Sequence, residues 1–583
     1  MRKNFRTTVI TCKGNSTTGV FRLLLNGEQR LEAKPGQFVM LESRCADKIW
    51  RRPFSVCAQG GSFVVEFKIR GRNTEYYAKM KSGDELSVTG PLGNPIFIDP
   101  GCKKVILVVG GTGKAGLMLL ASELKYSPVE VTFIYGVKNR REITEVDLLR
   151  YYGCQVKTIT ENEDRGLATD LLVSELETGL YDADSQIIAC GPNAMLEEVA
   201  GMALMRGIHC QVVMETLMAC GFGSCKGCAI PKKDSQDYFH LCQDGPALPG
   251  DQVDWKKLRR PSMIVPAEKR KPVEEINMET VLIGQYGRKL VLPTPIILDS
   301  GTFHAAAAID GPVDLTFAAA IQSKGTTYNP RFGNPTPRVC EVPMGMLNSI
   351  GLENVGLKEF IKTELPLLRE TGKNVIANIS GETVEEFALM SWELAEAGVE
   401  AVVLNISCPN KEKGGQNFGL SEDITFNVVQ KVRQKVGDRM FIIVKLSPMA
   451  PDVVKVGKAA EMAGADALIG FNTYLAMKID LATRRPAIAN IFGGESGPSA
   501  RARNLRLVHL LCQAVKIPVI ASTGIESGSD AAEYMIAGAQ AVAIGTGLLS
   551  NPNVVPETFY ELREIVANYG MADIQELVGS LIL

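Results

Sequence analysis

Histidine is scarce in this chain. Its 583 residues contain only 4, so a metal centre built on several imidazoles is excluded for want of ligands. Net charge is nearly absent as well: 63 basic residues stand against 65 acidic ones, interleaved, for a balance of −2. Such a surface gives no electrostatic case for binding nucleic acid or an anionic membrane. Long apolar runs are missing. A stretch such as VILVV at 105–109 is far short of the roughly 20 residues that span a bilayer. The opening segment, MRKNFRTTVITCKGNSTTG, has no apolar h-region and no cleavage site, so no secretory signal is expected. Fourteen cysteines without such a signal imply reduced thiols in a cytoplasm. There is also no low-complexity segment.

Hydrophobic content of 45% and charged content of 22% describe an ordinary globular protein. The length is too great for one core and points to about three or four domains. Four of the cysteines carry the strongest signal. Cys220, Cys225, Cys228 and Cys242 read C-x4-C-x2-C-x13-C, three thiols close together and a fourth a short loop away. That spacing wraps a 2Fe-2S cluster. Gly221, Gly223 and Gly227 let the backbone fold around the sulfurs and aim N–H groups at them. A zinc knuckle prefers two C-x2-C pairs, and one is present. A one-electron carrier of this kind needs a donor on one side and an acceptor on the other.

The pattern along the chain divides into five parts. Residues 1–100 alternate apolar and polar in short segments (VFRLLLN, GQFVMLES, SFVVEFKIR, DELSVTGPLG) between Gly/Asn/Asp turns, which predicts a small antiparallel β-barrel. Residues 101–210 switch to strand–helix alternation, beginning with KVILVVGGTG, and predict a doubly wound nucleotide-binding domain. The cysteine module occupies 211–255. Residues 256–275 are charged and Pro-rich without a hydrophobic period, and read as a linker. Residues 276–583 repeat a βα rhythm eight times, on PIILDS, AAAIQSK, NVIANIS, AVVLNIS, FIIVKLS, DALIGFNT, PVIAST and AVAIGTG. Eight parallel strands with intervening helices close into a TIM barrel. The fold class is therefore multidomain α/β.

In such a barrel the site forms at the strands' C-terminal ends. Polar residues or glycines stand there: Ser300, Lys324, Asn378, Asn405, Lys445, Asn472, Thr523-Gly524 and Gly545-Thr546. A single one would serve as a helix cap, but eight around one rim form a binding surface. Lysines entering a barrel mouth need an anionic partner. Thr-Gly and Gly-Thr on the last two strands match the phosphate site this fold builds there, and FMN fits that rim. The loop after the fourth of these strands holds Cys408, either a proton acceptor through its thiolate or an inert buried thiol. In the first part, Arg51-Arg52-Pro53-Phe54-Ser55-Val56 ends a presumed strand and suits a flavin pyrophosphate clamp. Gly110-Gly111-Thr112-Gly113 lies between strand and helix, where a dinucleotide phosphate approaches the backbone.

These motifs resemble one family over essentially the whole chain. RRPFS, GPLGNP, ACGP and the cysteine set followed by CQDGP resemble the electron-transfer subunit of class 1B dihydroorotate dehydrogenase. SGTF (300–303), SKGTT (323–327), PRFGNPTPR (330–338), LNSIGLEN (347–354), NISCPN (405–410), VKLSP (444–448) and FNT (471–473) resemble its catalytic subunit, here fused behind the other. The resemblance implies an NAD-dependent oxidoreductase acting on a CH–CH group. It would convert dihydroorotate to orotate in pyrimidine (UMP) biosynthesis, with FMN, a 2Fe-2S cluster, FAD and NAD as cofactors. Cys408 is implied as the catalytic base. Lys324, Asn348, Ser349, Ile350, Gly351, Leu352, Asn405, Asn472 and Thr473 are implied to hold substrate. Ser300, Lys324, Gly325, Asn378, Asn405, Lys445, Gly497, Thr523, Gly524, Gly545 and Thr546 are implied to hold FMN. Arg52, Pro53, Phe54, Ser55, Asn73 and Thr74 are implied to hold FAD, with Gly110, Gly111 and Gly113 at the nicotinamide nucleotide. The family also implies a homodimer through the barrel half.

Three departures from the family pattern stand out: Thr523 in place of a first glycine, Thr112 in place of a third glycine, and HAAAAID after SGTF. Two other readings stay open on sequence. A dihydropyrimidine dehydrogenase shares barrel, FMN and loop cysteine, but has histidine where Asn410 stands. A pure electron-transfer partner would make the polar rim a coincidence. NAD against NADP is also open, because Arg140 and Arg141 meet either a 2′-phosphate or water.

Overall fold

Along β1 (Lys3–Asn15) Phe5, Thr7 and Val9 are buried while Arg6, Thr8 and Ile10 face out. This two-residue period gives a strand with one core face. With β2 (Val20–Gly27), β3 (Phe38–Leu41), β4 (Arg52–Gln59), β5 (Phe63–Lys68) and β6 (Glu85–Leu92) it closes an antiparallel barrel in the order β1-β2-β5-β4-β3-β6. Leu23, Leu25, Val39, Leu41, Phe63, Val65 and Val88 fill it. The RRPFS segment thus begins a strand rather than ending one, because Pro53 and Phe54 pair with Met40 and Val39. The computed structural model describes residues 3–15, 18–27, 30–43, 51–258, 269–303, 313–407 and 418–582. It divides into two units, Met1–Pro261 and Ser262–Leu583.

The rest of the first unit is built on β7 (Lys104–Gly110), β8 (Glu130–Val137), β9 (Gln155–Thr160), β10 (Ser185–Cys190) and β11 (His209–Val213). These strands are parallel and almost wholly apolar where central, as a sheet covered by helices on both faces requires. After the short hairpin β12 (Ala229–Pro231) and β13 (Tyr238–His240), β14 (Ala247–Pro249) returns antiparallel to β11. The sheet order is β14-β11-β10-β7-β8-β9. The cysteine segment is therefore stitched to the nucleotide sheet through β14.

In the second unit, the hairpin of β15 (Thr280–Ile283) and β16 (Lys289–Leu292) precedes the expected barrel. Its first strands are β17 (Ile296–Leu298) and β18 (Ala320–Gln322). A second hairpin, β19 (Val339–Val342) and β20 (Gly345–Asn348), interrupts the βα rhythm. The barrel resumes with β21 (Asn374–Ile379), β22 (Ala401–Asn405), β23 (Phe441–Lys445) and β24 (Ala467–Gly470). Then come β25 (Tyr474–Ala476), the two-residue strands β26 (Ile479–Asp480) and β27 (Arg485–Pro486), and β28 (Gly493–Ser496). Finally β29 (Val519–Ser522) and β30 (Ala541–Ile544) close the ring β17-β18-β21-β22-β23-β24-β29-β30. All eight strands expected from the apolar runs are in it.

Strand parity explains the mouth of the barrel. Ile297, Ala320, Ile376, Val403, Ile443, Ile469, Ile520 and Ala543 belong to one interior cluster, shared with Leu282, Leu290 and Leu292 of the β15–β16 hairpin. Side chains two positions further along share the interior face. Those positions are Asp299, Gln322, Asn378, Asn405, Lys445, Phe471, Ser522 and Gly545. The interior thus changes from aliphatic to polar within one layer. The antiparallel sheet β19-β20-β28-β25 contributes side chains to the same mouth.

Candidate active site

The polar layer opens into a cavity of about 330 Å³. Ser300, Lys324, Gly325, Asn348, Ile350, Gly351, Leu352, Asn378, Asn405, Lys445, Asn472, Thr473, Thr523, Gly524, Gly545 and Thr546 line it. Two expected residues do not. Ser349 is buried, its Oγ accepting from Asn334 and Asn490 at 2.9 and 2.8 Å, so it braces the loop instead. At Gly497 an added Cβ would come within 2.8 Å of Gly345 Cα, so this glycine serves the packing of the β20–β28 sheet. Cys408 lies outside the described residues. The chain reaches it through Ser407, whose Oγ donates to Asn405 Oδ1 at 3.0 Å and accepts from Asn472 Nδ2 at 2.9 Å.

Several wall residues lie outside the motifs read from the sequence: Asp299, Val339, Met346, Ser496 and Ser522; Thr302 and Phe471 fall within SGTF and FNT but had no assigned role. Asp299 matters most. Its Oδ1 lies 2.7 Å from Lys445 Nζ and accepts the Ser300 N–H at 2.8 Å. Its Oδ2 accepts from Ser522 Oγ at 2.5 Å. One of the two rim lysines thus has its anionic partner within the protein. Among the described residues no carboxylate pairs with Lys324, which leaves its charge for a ligand. Asn378 points the same way. It is fully buried, it lines the cavity, and neither polar atom of its side chain has a partner. Orphaned buried amides cost free energy unless a ligand completes them. A cation and an unpaired amide beside glycine-bearing strand ends fit a flavin phosphate and its uracil-like ring.

The expected FAD residues sit on β4 and on α1 (Arg72–Ala78). Arg52, Pro53, Phe54 and Ser55 are all partly exposed, with Phe54 edge-on to Phe67 and to Tyr77 at 5.7 Å each. Arg51 is committed to Ser87, donating to its O and Oγ at 2.9 Å. Asn73 Oδ1 accepts from Ser43 Oγ at 3.0 Å, and Thr74 Oγ1 accepts the N–H groups of Arg70 and Gly71.

At the carboxyl ends of β7, β8, β9 and β10 lies a cleft of about 550 Å³. Gly110, Gly111, Thr112 and Gly113 form one wall, Gly191 and Pro192 another. Gly113 admits no side chain, since a Cβ there would stand 2.2 Å from Cys190 O. The lysine that follows is not a phosphate ligand. Lys114 opens α2 (Lys114–Leu124) and is buried, its Nζ 2.6 Å from Glu145 Oε2 and Thr144 Oγ1 and 3.4 Å from Glu66 Oε2. Burial works against its charge, yet Glu66 and Glu145 outweigh that and hold its pKa above the ordinary lysine value. Arg140 and Arg141 do not line the cleft, and Arg140 pairs with Asp164 at 3.0 Å.

The four cluster cysteines come together as two pairs. Cys225 N–H donates to Cys220 Sγ at 3.5 Å, and Gly227 N–H to Cys225 Sγ at 3.4 Å. Cys228 and Cys242 sulfurs are 3.3 Å apart, with Cys242 N–H on Cys228 Sγ at 3.5 Å. Burial pushes the Cys220 thiol up, but N–H donation from Cys225, Phe222 and Ser224 prevails and brings it down to about 6. Thiolate is the form that binds iron. Gly223 has φ +93°, backbone that a side chain rarely adopts, and a Cβ there would displace the Gln243 amide, whose Cδ lies 2.1 Å away. Among the described residues no three His, Cys, Asp or Glu side chains converge on a single-ion site. Paired thiols suit two irons that take two sulfurs each better than one tetrahedral zinc.

Three parts of the chain match known families. A family model described as dihydroorotate dehydrogenase matches residues 287–566. The iron-sulfur cluster binding domain of dihydroorotate dehydrogenase B matches 215–254, and an oxidoreductase FAD-binding domain matches 11–97. The "dihydroorotate dehydrogenase B (NAD(+)), catalytic subunit" of Thermoanaerobacter pseudethanolicus is 46% identical over 295 residues, 50% of this chain and 96% of that one. The proteins of the same name from Geobacillus kaustophilus and Alkaliphilus oremlandii are 43% and 40% identical. They cover 50% and 51% of this chain, and 92% and 98% of their own lengths. No helix among the described residues is long and apolar enough to cross a membrane. The chain belongs to the dihydroorotate dehydrogenase family, and it carries the FAD-binding and cluster-binding modules of the B type on the same polypeptide.

Proposed function

We propose that this protein oxidises dihydroorotate to orotate at the mouth of its C-terminal barrel and delivers the electrons, by way of FMN, a 2Fe-2S cluster and FAD, to NAD+. The observation that carries this reading is the pairing of two features in one chain: a cavity with an orphaned Asn378 and a Lys324 that has no carboxylate partner among the described residues, and two cysteine pairs with the Cys220 thiol brought down by N–H donors. Bound FMN would supply hydride acceptance and single-electron release.

The positions of the lining residues support the following roles. Lys324 would pair with the substrate carboxylate or the flavin edge. Asn378 would complete its hydrogen bonds on the flavin. Asn348, Asn405 and Asn472 would present neutral donors and acceptors to an amide-rich pyrimidine. Of these, Asn348 is oriented by donating to Gly494 O at 3.1 Å and Asn472 by accepting the Thr473 N–H at 2.8 Å. Cys408 would take the C5 proton. A dihydropyrimidine dehydrogenase reading gains nothing from the site, because uracil carries no carboxylate for Lys324.

Cofactor analysis of the purified protein tests the proposal. About one FMN, one FAD, two irons and two labile sulfides per chain are expected. Orotate should perturb the flavin spectrum, and kcat/KM should favour dihydroorotate over dihydrouracil by more than about a hundredfold. Colourless protein without iron or flavin, or a preference for dihydrouracil, refutes it.

The lining of the cleft in the first unit also supports NAD over NADP. Arg70 and Lys138 line it together with Glu142, Glu161, Glu198 and Glu215, and Glu161 directly follows the end of β9. An acid at such a strand end suits a ribose 2′-hydroxyl and repels a 2′-phosphate. We expect strong preference for NAD, and Glu161→Arg should narrow the NAD/NADP ratio of kcat/KM by about tenfold or more. An unchanged ratio would place the discriminating group elsewhere.

A further inference from the structure

We propose that Asp299 tunes the reduction potential of the flavin held by the barrel, acting through Lys445. This rests on the FMN reading of the cavity. Lys445 is 4% exposed and Asp299 7%, both line the cavity, and their charged atoms are 2.7 Å apart. The carboxylate is held in place by two further donors, the Ser300 N–H at 2.8 Å and Ser522 Oγ at 2.5 Å. Its position is fixed by β17, whose Ile297 lies in the interior cluster two residues earlier.

Reducing a flavin by a hydride leaves two electrons more on the ring and negative charge on its pyrimidine side. A lone buried lysine facing that charge would stabilise the reduced form and raise the potential. Here the lysine is not alone. Asp299 and Lys445 together contribute no net charge to the cavity wall, so the stabilisation is largely cancelled. The cancellation matters because both groups are withdrawn from water into an interior that attenuates charge interactions only weakly. A flavin in this site is therefore poised lower than the lysine alone would set it, which makes it a readier donor of the electrons it has taken from substrate. Asp299 is a positioning and charge-compensating residue and makes no bond to substrate in this role.

The test is an anaerobic reductive titration of the holoenzyme against a reference dye. FMN is identified as the flavin whose spectrum responds to orotate. Asp299→Asn keeps the shape and the acceptor oxygen but removes the charge. At a fixed solution potential it should raise the ratio of reduced to oxidised FMN about tenfold or more, equivalent to about 30 mV for a two-electron couple. The FAD potential should not move. Asp299→Glu, which keeps the charge, should stay within about twofold of the wild-type ratio. An FMN ratio in Asp299→Asn that is unchanged or lower overturns the inference, as does a parallel shift in FAD. Loss of FMN from Asp299→Asn also overturns it, since the residue would then build the pocket rather than tune its occupant. Wild-type protein without FMN would sink the reading of the cavity itself, an outcome distinct from all of these.

Discussion

Replacing Cys408 with alanine should lower dihydroorotate turnover by about 10²–10⁴-fold, the range that a positioned proton acceptor contributes. NADH-driven reduction of dyes should stay within about twofold of wild type, because that activity needs only the nucleotide cleft and FAD of the first unit. The local architecture explains why the position is suited to the task. β22 ends at Asn405, Ser407 is buried, and the hydrogen bonds Ser407–Asn405 and Asn472–Ser407 tie the root of the loop to two cavity residues. Ser407, the last described residue before the loop, is therefore tied to two cavity asparagines.

A thiol acts as base only when deprotonated, so wild-type kcat should rise with pH through the thiol's titration and then level off. Cys408→Ser separates base catalysis from packing. A serine hydroxyl fills nearly the same space but ionises far less readily, so residual activity should climb only at higher pH. If alanine and serine variants turned over dihydroorotate at the wild-type rate, the proton would have another acceptor. If both lost dihydroorotate and NADH activities together, the substitution would have damaged the fold and not the chemistry.

The sequence was most readable where one physical requirement acts on a run of neighbouring residues. Each barrel strand is buried on both faces, so it is a short apolar run wherever it occurs, and all eight could be placed. The cysteine spacing was readable for the same reason: cluster geometry permits few spacings. Asp299 was not readable. In LDSGTF an acid before Ser-Gly looks like an ordinary turn residue, and its significance comes from strand parity with Ile297 and from Lys445, 146 positions away. The sheet β19-β20-β28-β25 was missed because its strands have little apolar contrast; Gly493–Ser496 reads as a loop. β1 has little apolar contrast, because one of its inward residues, Thr7, is polar and one of its outward residues, Ile10, is apolar. Lys114 follows the glycine turn in sequence, yet its charge belongs to a buried network with Glu66 and Glu145. In each case the missing information was long-range pairing, which no local window contains.

Cys225→Ser should break the link between the two chemistries while leaving each intact. Cys225 is the exposed member of the four, and its sulfur accepts the Gly227 N–H while its own N–H supports Cys220. A serine oxygen is a harder and far more weakly acidic ligand than thiolate, so it binds iron poorly, and the N–H groups arranged for a sulfur at 3.4–3.5 Å would face an atom that is too small. Iron and sulfide content should therefore fall, with FMN and FAD content unchanged, since none of the residues expected to hold either flavin lies in the cysteine segment. Dihydroorotate oxidation with a dye acceptor and NADH oxidation with a dye acceptor should each persist within about twofold. NAD+-linked orotate formation should fall more than about a hundredfold, because hydride chemistry at one flavin cannot substitute for single-electron passage to the other. An NAD+-linked rate equal to wild type in iron-depleted protein would mean that electrons pass between the flavins without the cluster. Loss of NADH oxidation with a dye alongside the NAD+-linked rate would mean that the cysteine segment, stitched into the nucleotide sheet through β14, holds the first unit together. Only the selective loss fits a protein in which the cluster is the route and not a structural staple.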